Sequence, residues 1–221
     1  MVAERSNKPS GTRAPRGTLN RERWEEVVAA ATKVFAEKGY RVASLRDVAD
    51  ELGILKGSLY YYIDTKEDLL YEILKRAHAD GVERMRTDPQ FWQGSPAERV
   101  SYFIRAYMAR LDEVPPTLII SESDLGELDG ERRIEVLRLR RQIFDIPKAA
   151  VAEGVRTGDF GAGTDPYVAT ATIFRILNST VFWFDHGEPL GWDKVTEWYV
   201  EFVLRGLGHD LPSRTTINRL E

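Results

Sequence analysis

The sequence predicts an all-α fold. Apolar residues recur at three- and four-residue spacing along most of the 221 residues, which places them on one face of an α-helix. Sustained alternation of apolar and polar residues, the pattern of a strand, does not occur, and no repeat of fixed length is present. Glycines and prolines separate the periodic segments. The predicted helices span residues 21–38, 45–52, 55–62, 65–86, 96–113, 117–126, 130–157, 165–185 and 192–207.

Local signals mark where the early helices begin and end. Gly39 supplies the stop of the first helix. Ser44 followed by Asp47, and Thr65 followed by Asp68, resemble capping boxes in which Asp replaces the usual Glu or Gln. These two pairs predict the starts of the second and fourth helices. The apolar stripe of the first helix consists of Trp24, Val27, Val28, Ala31, Val34 and Phe35.

The later helices are longer, and helix-breaking residues separate them. Each segment between two breakers is apolar-periodic and is therefore predicted to be helical. The breakers are Pro89, Gly94, Pro96, Pro115, Pro116, Gly126, Gly130, the glycines within 158–163, Pro189 and Gly191.

Composition excludes several classes of protein. The absence of cysteine removes disulfide frameworks, thiolate metal sites and cysteine nucleophiles, and it favours a reducing compartment. No uncharged apolar run approaches the roughly 18 residues of a membrane span, and the N-terminus lacks the apolar stretch of a secretory signal. We therefore expect a soluble, cytoplasmic protein without a membrane partner.

Charge is distributed unevenly along the chain. The net charge is -4, yet residues 1–66 hold 12 Lys and Arg against 9 Asp and Glu, so the excess of acid lies in the remainder. Residues 1–19 are predicted to form a flexible arm whose Arg5, Lys8, Arg13 and Arg16 suit a phosphate backbone. An inert tail is the alternative for this arm. Residues 211–221 are predicted to be a flexible tail.

Residues 45–62 have the pattern of a helix-turn-helix, two short helices joined at Gly53. Val48, Leu52, Ile54 and Leu59 supply the apolar contacts between the helices. Such a motif places its second helix in the major groove of DNA. The first turn of that helix is Lys56, Gly57 and Ser58, a short polar segment that exposes backbone N–H groups.

Three consecutive tyrosines follow this turn. On a helix they spread over about 200°, so at least one of them must face outward. We expect Tyr62 to pack inward with Leu59, and Tyr60 and Tyr61 to offer hydroxyls to phosphates and ring faces to thymine methyls. Coverage of a neighbouring helix by these tyrosines is the alternative.

The run SLRDVADELGILKGSLYYYIDTKEDLL resembles the DNA-binding domain of the tetracycline-repressor (TetR) family of bacterial regulators, and the match extends over residues 21 to about 75. The resemblance implies a homodimer that binds a palindromic operator and represses transcription until a small ligand binds the C-terminal domain. It also implies that Lys66 meets a phosphate. The DNA contacts implied by the resemblance are Ser44, Arg46, Lys56, Gly57, Ser58, Tyr60, Tyr61 and Lys66.

Two residues depart from the family pattern. Leu55 stands where many relatives have a hydroxyl N-cap, and a lost cap is worth about 1 kcal/mol. We therefore expect a looser start to the recognition helix. Ile63 stands where an aromatic is usual, which exchanges one apolar residue for another and leaves the groove-facing residues in place.

The resemblance implies domains at residues 20–66 for DNA binding and 67–210 for ligand binding and dimerisation. In this family the last two helices of each subunit form a four-helix dimer interface. The alternative for part of their apolar stripes is the core of a single subunit. The stripes are Ile173, Ile176, Leu177, Thr180 and Phe184 on one helix, and Trp192, Val195, Trp198, Tyr199, Phe202 and Val203 on the other.

A ligand pocket is expected between helices 96–113 and 130–157. The segment STVFWFDHGEPLGWD is similar to regulators of fatty-acid and sterol breakdown that respond to acyl-CoA thioesters. Ordinary core packing is the alternative for every candidate aromatic. The candidate lining residues are Phe103, Tyr107, Phe144, Phe182, Trp183 and Phe184.

Arginines on helix 130–157 suit the phosphates of coenzyme A, although Glu131 and Glu135 between them favour a solvated ion-pair face. On ligand binding, helix 65–86 is expected to shift and to change the separation of the recognition helices from the roughly 34 Å between successive grooves. The arginines are Arg132, Arg133, Arg138, Arg140 and Arg141.

An enzyme and a helical interaction adaptor are the rival hypotheses. The chain has three histidines, no metal-ligand pair at helical spacing and no catalytic constellation, so no catalytic residue, metal or cofactor is predicted. His78 near Asp80 is the one arrangement that resembles a general-base pair. GDFGAG at 158–163 is interpreted as a loop because it follows a helix instead of a strand.

Overall fold

A computed structural model describes residues 18–113, 120, 124–184 and 190–211. Within these ranges all regular elements are helical, which confirms the predicted all-α class. Short 3₁₀ turns lie at Pro89–Phe91 and Leu125–Glu127. The α-helices are α1 Thr18–Lys38, α2 Leu45–Glu51, α3 Lys56–Leu59, α4 Lys66–Thr87, α5 Pro96–Glu113, α6 Gly130–Thr157, α7 Pro166–Trp183 and α8 Trp192–Gly206.

The predicted helix bounds are confirmed for the long helices and wrong for one short helix. Helices α5 and α6 begin and end where the proline and glycine breakers place them. Helix α3 stops at Leu59 instead of Tyr62, because the chain closes into tight turns: the Tyr62 N–H donates to the Leu59 carbonyl three residues back, at 2.9 Å. The predicted helix 117–126, the arm and the C-terminal tail lie mostly or wholly outside the described residues.

Both predicted capping boxes are present. The Asp47 N–H donates to the Ser44 hydroxyl at 3.3 Å, and the Ser44 N–H donates to the Asp47 carboxylate at 2.8 Å. The Asp68 N–H donates in the same way to the Thr65 hydroxyl at 3.2 Å. These bonds satisfy backbone donors that a helix start leaves free, so the capping pairs define where α2 and α4 begin.

The described residues form two hydrophobic cores that share α4. The first core holds α1, α2, α3 and the first half of α4, and the second core holds the end of α4 with α5 to α8. The first core also takes in Ile120, Leu128 and Val136 from beyond α5. Helix α4 contributes Leu69, Leu70, Ile73 and Leu74 to the first core and Met85 to the second.

Polar contacts also join the N-terminal helices to the segment from Leu125 to α6. Arg41, in the loop after α1, donates to Glu127 at 2.8 Å. Arg132 at the start of α6 pairs with Asp68 at the start of α4. Helix α4 also packs along α6, where a Cβ added at Gly81 would lie 3.1 Å from the Ile143 side chain. Helices α4 and α6 are therefore in close contact along their length.

Candidate nucleic-acid interface and ligand site

Buried residues fix the angle between α2 and α3. Val48, Ala49 and Leu59 are fully buried where the two helices meet. Gly53 adopts a φ of +65°, a conformation that residues with a Cβ rarely take, so glycine suits this turn. The Ile54 N–H then donates to the Ala49 carbonyl at 3.0 Å. The segment that follows is thus attached to the first core through buried residues.

The surface of this segment is polar and aromatic. Lys56 and Gly57 are exposed and Ser58 is half-buried. Tyr61 is 88% exposed and Tyr60 is 49% exposed, with the Lys56 ammonium 5.9 Å from the Tyr60 ring centroid.

Tyr62 is half-buried against the first core. The predicted orientation of the three tyrosines is therefore confirmed, although a turn and not a helix presents them.

Two further predicted contacts lie at the start of α2. Ser44 is exposed, and its hydroxyl donates to the Asp47 carboxylate at 2.5 Å within the capping box. Hydrogen bonds from the Lys38 ammonium and from Ser44 hold the pKa of Asp47 well below its usual range. The Arg46 side chain is exposed, with the Asp50 carboxylate 3.9 Å away.

The Lys66 ammonium contacts the protein backbone. Its half-buried side chain directs the ammonium at backbone carbonyls of the loop after α1, those of Tyr40 at 2.5 Å and of Ala43 at 2.9 Å. The ammonium also lies 4.2 Å from the centroid of the Tyr40 ring. Lys66 thus ties the start of α4 to this loop. Its predicted contact with DNA phosphate stays a prediction.

Three predicted ligand-lining residues meet in one aromatic cluster between α5, α6 and α7. Phe103 and Tyr107 stack with ring centroids 5.5 Å apart, and Phe174 lies 5.3 Å from Phe103 and 5.7 Å from Phe144. The Tyr107 hydroxyl donates to the buried Asn178 amide oxygen at 2.8 Å. Phe174 was not predicted, because its spacing on α7 does not distinguish it from ordinary core residues.

The other three predicted lining residues lie at the far end of α7. Phe182 is 63% exposed and Trp183 is also exposed. Phe184 is half-buried and packs edge-to-face on Trp192, with ring centroids 4.9 Å apart. The structure therefore does not bring these residues to the cluster of Phe103, Tyr107 and Phe144.

The predicted dimer stripes divide into buried and exposed members. Trp198 and Phe202 are exposed on α8 and stack on each other, with ring centroids 4.9 Å apart. The stripe members buried within the single chain follow the alternative interpretation of core packing. They are Ile173, Leu177, Thr180, Val195, Tyr199 and Val203.

The first and the last of the five α6 arginines proposed to suit coenzyme A phosphates form ion pairs within the chain. Arg132 pairs with Asp68, and Arg141 donates to Asp145 at 3.0 Å. These two residues fit the ion-pair interpretation of the row.

The enzyme hypothesis finds no support in the surroundings of His78. Burial, with a smaller effect from Arg140, lowers the pKa of His78 to about 4. The neighbouring Asp80 carboxylate is held by Arg84 at 3.0 Å and by Arg110 at 3.1 Å. Among the described residues, no three His, Asp or Glu side chains are grouped so as to hold a metal ion.

Comparison with known proteins decides the family. Residues 27–73 match the sequence profile of bacterial regulatory proteins of the tetR family, and residues 93–207 match that of the tetracyclin repressor-like C-terminal domain. The chain belongs to the tetR family. Members of this family are transcriptional regulators that bind DNA, and the chain is accordingly a regulator and not an enzyme.

Relatives with similar sequence and structure agree with this assignment. The chain is 30% identical over 187 residues to the transcriptional repressor KstR2 of Rhodococcus jostii. The aligned region covers 82% of this chain and 89% of that protein. The solved structure of the ketosteroid transcriptional regulator KstR2 of Mycobacterium tuberculosis superposes with a TM-score of 0.76 at 26% identity, over 84% of this chain and 94% of that chain.

A third solved structure shares the fold. FadR from Bacillus subtilis, in complex with stearoyl-CoA, matches with a TM-score of 0.66 at 23% identity, over 83% of this chain and 98% of that chain. Within the described part of the tetR-family chain, no helix combines the length and apolarity needed to cross a bilayer.

Proposed function

We propose that this tetR-family regulator acts as a homodimeric repressor that binds a palindromic operator and is released by a small hydrophobic effector. The observation that carries the proposal is the segment from Lys56 to Tyr61, which exposes Lys56, Tyr60 and Tyr61 and packs on the first core through the buried Leu59. A cation, a hydroxyl and two exposed phenols in six residues suit contacts to phosphates and base edges. We assign DNA binding to residues 20–66 and ligand binding and dimerisation to residues 67–210.

Further DNA contacts are proposed at the rim of this segment. Ser44 and Arg46 at the start of α2 are exposed and suit phosphate contacts that set the register of the motif. Lys66 holds the adjoining loop by its carbonyl bonds, so we assign it a positioning role in addition to the predicted phosphate contact. The basic residues of the predicted arm, Arg5, Lys8, Arg13 and Arg16, lie outside the described residues and keep their predicted role along the phosphate backbone of DNA.

Dimerisation is proposed through α7 and α8. Trp198, Phe202, Phe182 and Trp183 expose large apolar side chains near the C-terminal end of the chain. Large exposed apolar surfaces are typical of interaction sites, and aromatic residues are enriched at the centres of interfaces. A second copy of the chain would cover them and would place two recognition segments on one duplex.

The proposed effector site is the aromatic cluster of Phe103, Tyr107, Phe144 and Phe174. Ring surfaces beside the Tyr107 hydroxyl and Asn178 combine apolar lining with a few polar groups, the usual character of a ligand site. The stearoyl-CoA bound to the FadR structure favours an acyl-CoA thioester as the effector class.

Release from DNA requires that the effector bind the DNA-incompetent arrangement more tightly than the competent one. The cluster lies against α6, and α6 packs along α4. We propose that a filled site moves α6 and α4 together and changes the distance between the two recognition segments of the dimer.

The test begins with selection of duplexes from a random library by the purified chain. A repressor is expected to enrich a palindrome, to bind it at least about 1000-fold more tightly than random duplex, and to lose affinity steeply as salt rises. Equal binding of all duplexes, or no binding to any duplex, would favour the alternative of a helical interaction adaptor.

Native mass spectrometry of protein from cells then identifies the effector, and a bound thioester is the expected result.

A further inference from the structure

Leu55, immediately before the recognition helix, is an aliphatic side chain that the fold leaves in solvent. It is 81% exposed, in an extended conformation with φ −69° and ψ 139°. The first core takes in its neighbours Leu52 and Ile54 and leaves Leu55 outside. Leu55 also makes no capping hydrogen bond to α3. The Leu55 side chain therefore belongs to neither hydrophobic core of the described residues.

The position of Leu55 places it beside the residues proposed to face base edges. In a helix-turn-helix, residues at the beginning of the second helix contact the bases of the major groove. Between residues 55 and 61, Lys56, Gly57, Tyr60 and Tyr61 are exposed, and Leu59 is fully buried. Leu55 is thus the one exposed aliphatic side chain of this stretch.

The chemistry of the major groove limits what such a side chain can recognise. Base edges there present hydrogen-bond donors and acceptors, and the C5-methyl of thymine is the apolar group. A leucine placed against the amino group of cytosine or adenine would remove water without supplying a partner, which costs free energy. A leucine placed against a thymine methyl buries apolar surface on both sides.

We infer that Leu55 is a specificity-determining residue that reads the 5-methyl group of one thymine in each half of the operator. The inference rests on the proposed function, because it requires that α3 enter the major groove. Leu55 would read a methyl group in addition to any thymine methyl that the ring faces of Tyr60 and Tyr61 contact.

The test uses the palindrome selected from random duplexes by the unaltered chain. Each thymine is replaced in turn by uracil, symmetrically in both halves, which removes the methyl group and keeps every hydrogen-bonding group. Affinities of the unaltered chain, Leu55→Ser and Leu55→Met are measured by fluorescence anisotropy. Ile134→Ser, which removes an exposed aliphatic side chain from α6, is the matched control.

At one thymine position, uracil should weaken binding by the unaltered chain about fourfold per half-site, the effect of one buried methyl group. At that same position, Leu55→Ser should bind the thymine duplex and the uracil duplex equally. Leu55→Met and Ile134→Ser should keep the sensitivity of the unaltered chain.

Specific binding in which every uracil substitution affects the unaltered chain and Leu55→Ser alike would overturn this inference and leave the proposed function standing. Failure of the unaltered chain to prefer any duplex would instead overturn the proposed function, and this inference with it.

Discussion

Exposed aromatic side chains beside α3 and on α8 form two surfaces that differ in chemistry. Beside α3, Tyr60 and Tyr61 carry hydroxyls and lie next to the Lys56 ammonium. On α8, Trp198 and Phe202 stack on each other and present mainly hydrocarbon and ring surface. Phenols beside a cation suit a polyanion, whereas larger apolar rings suit another protein surface. The character of the neighbours, more than exposure itself, separates a DNA-binding surface from a self-association surface.

The largest effect is expected from a charge placed on the α8 surface. In Phe202→Glu the new carboxylate would be buried without a partner in the dimer, at a cost of about 3–5 kcal/mol. The dimer dissociation constant should rise about 100-fold or more, as measured by sedimentation velocity. Val42→Glu, at an exposed site in the loop after α1, is the control and should leave the dimer intact. An unchanged dimer in Phe202→Glu would remove α8 from the interface.

The next largest effect concerns the scaffold beneath the tyrosines. Leu59 is fully buried in the first core, where α3 meets α2, so Leu59→Ala should lower the free energy of unfolding by about 2–5 kcal/mol. Urea denaturation measures this loss. Leu55→Ala, four residues away and exposed, should change stability by less than about 0.5 kcal/mol. Equal effects of the two substitutions would contradict the assignment of Leu59 to the inner face.

A pH-dependent change in stability is expected from His78 in α4, the helix that the two hydrophobic cores share. Burial lowers the pKa of His78 to about 4 in the folded chain, against an ordinary value near 6.5 in the unfolded chain. Below pH 6.5 the unfolded chain binds more protons, so stability falls as the pH drops towards 4, by up to about 3 kcal/mol. Thermal unfolding at several pH values should show a shallower slope in His78→Gln. An identical slope would mean that His78 is not the group responsible.

The smallest effects are expected at the recognition segment itself. Tyr61→Ala and Lys56→Ala should each weaken operator binding by about 1–3 kcal/mol and leave the dimer unchanged. Arg156→Ala removes one exposed positive charge at the end of α6 and serves as the matched control. Fluorescence anisotropy on the selected palindrome measures the change. A loss in the control as large as in Lys56→Ala would indicate a general charge effect.

Sequence reasoning predicted the elements that depend on local signals. Gly39, Gly53 and the capping pairs at Ser44 and Thr65 act within a few residues of themselves, so the helix-turn-helix could be predicted in advance. The length of α3 could not be predicted. Residues Tyr60 to Tyr62 form turns, and residue spacing alone does not distinguish these turns from a further turn of helix.

Features that depend on distant contacts were missed or misplaced. Lys66 meets carbonyls more than 20 residues earlier in the chain, and no local pattern encodes that contact. Phe174 and Phe182 lie on the same helix with similar neighbours, yet the first joins the aromatic cluster and the second is exposed. Periodicity indicates that a helix has an apolar face, and only the packing of the chain shows which partner covers each residue.

Hydrogen–deuterium exchange of the unaltered chain, with and without the selected palindrome, tests the contrast between the two surfaces most directly. The account predicts that DNA slows exchange in the peptides that cover residues 44–61. Peptides covering 192–206 should exchange slowly in both samples, because a second copy already covers them. Protection of residues 192–206 by DNA, with no change in residues 44–61, would contradict it.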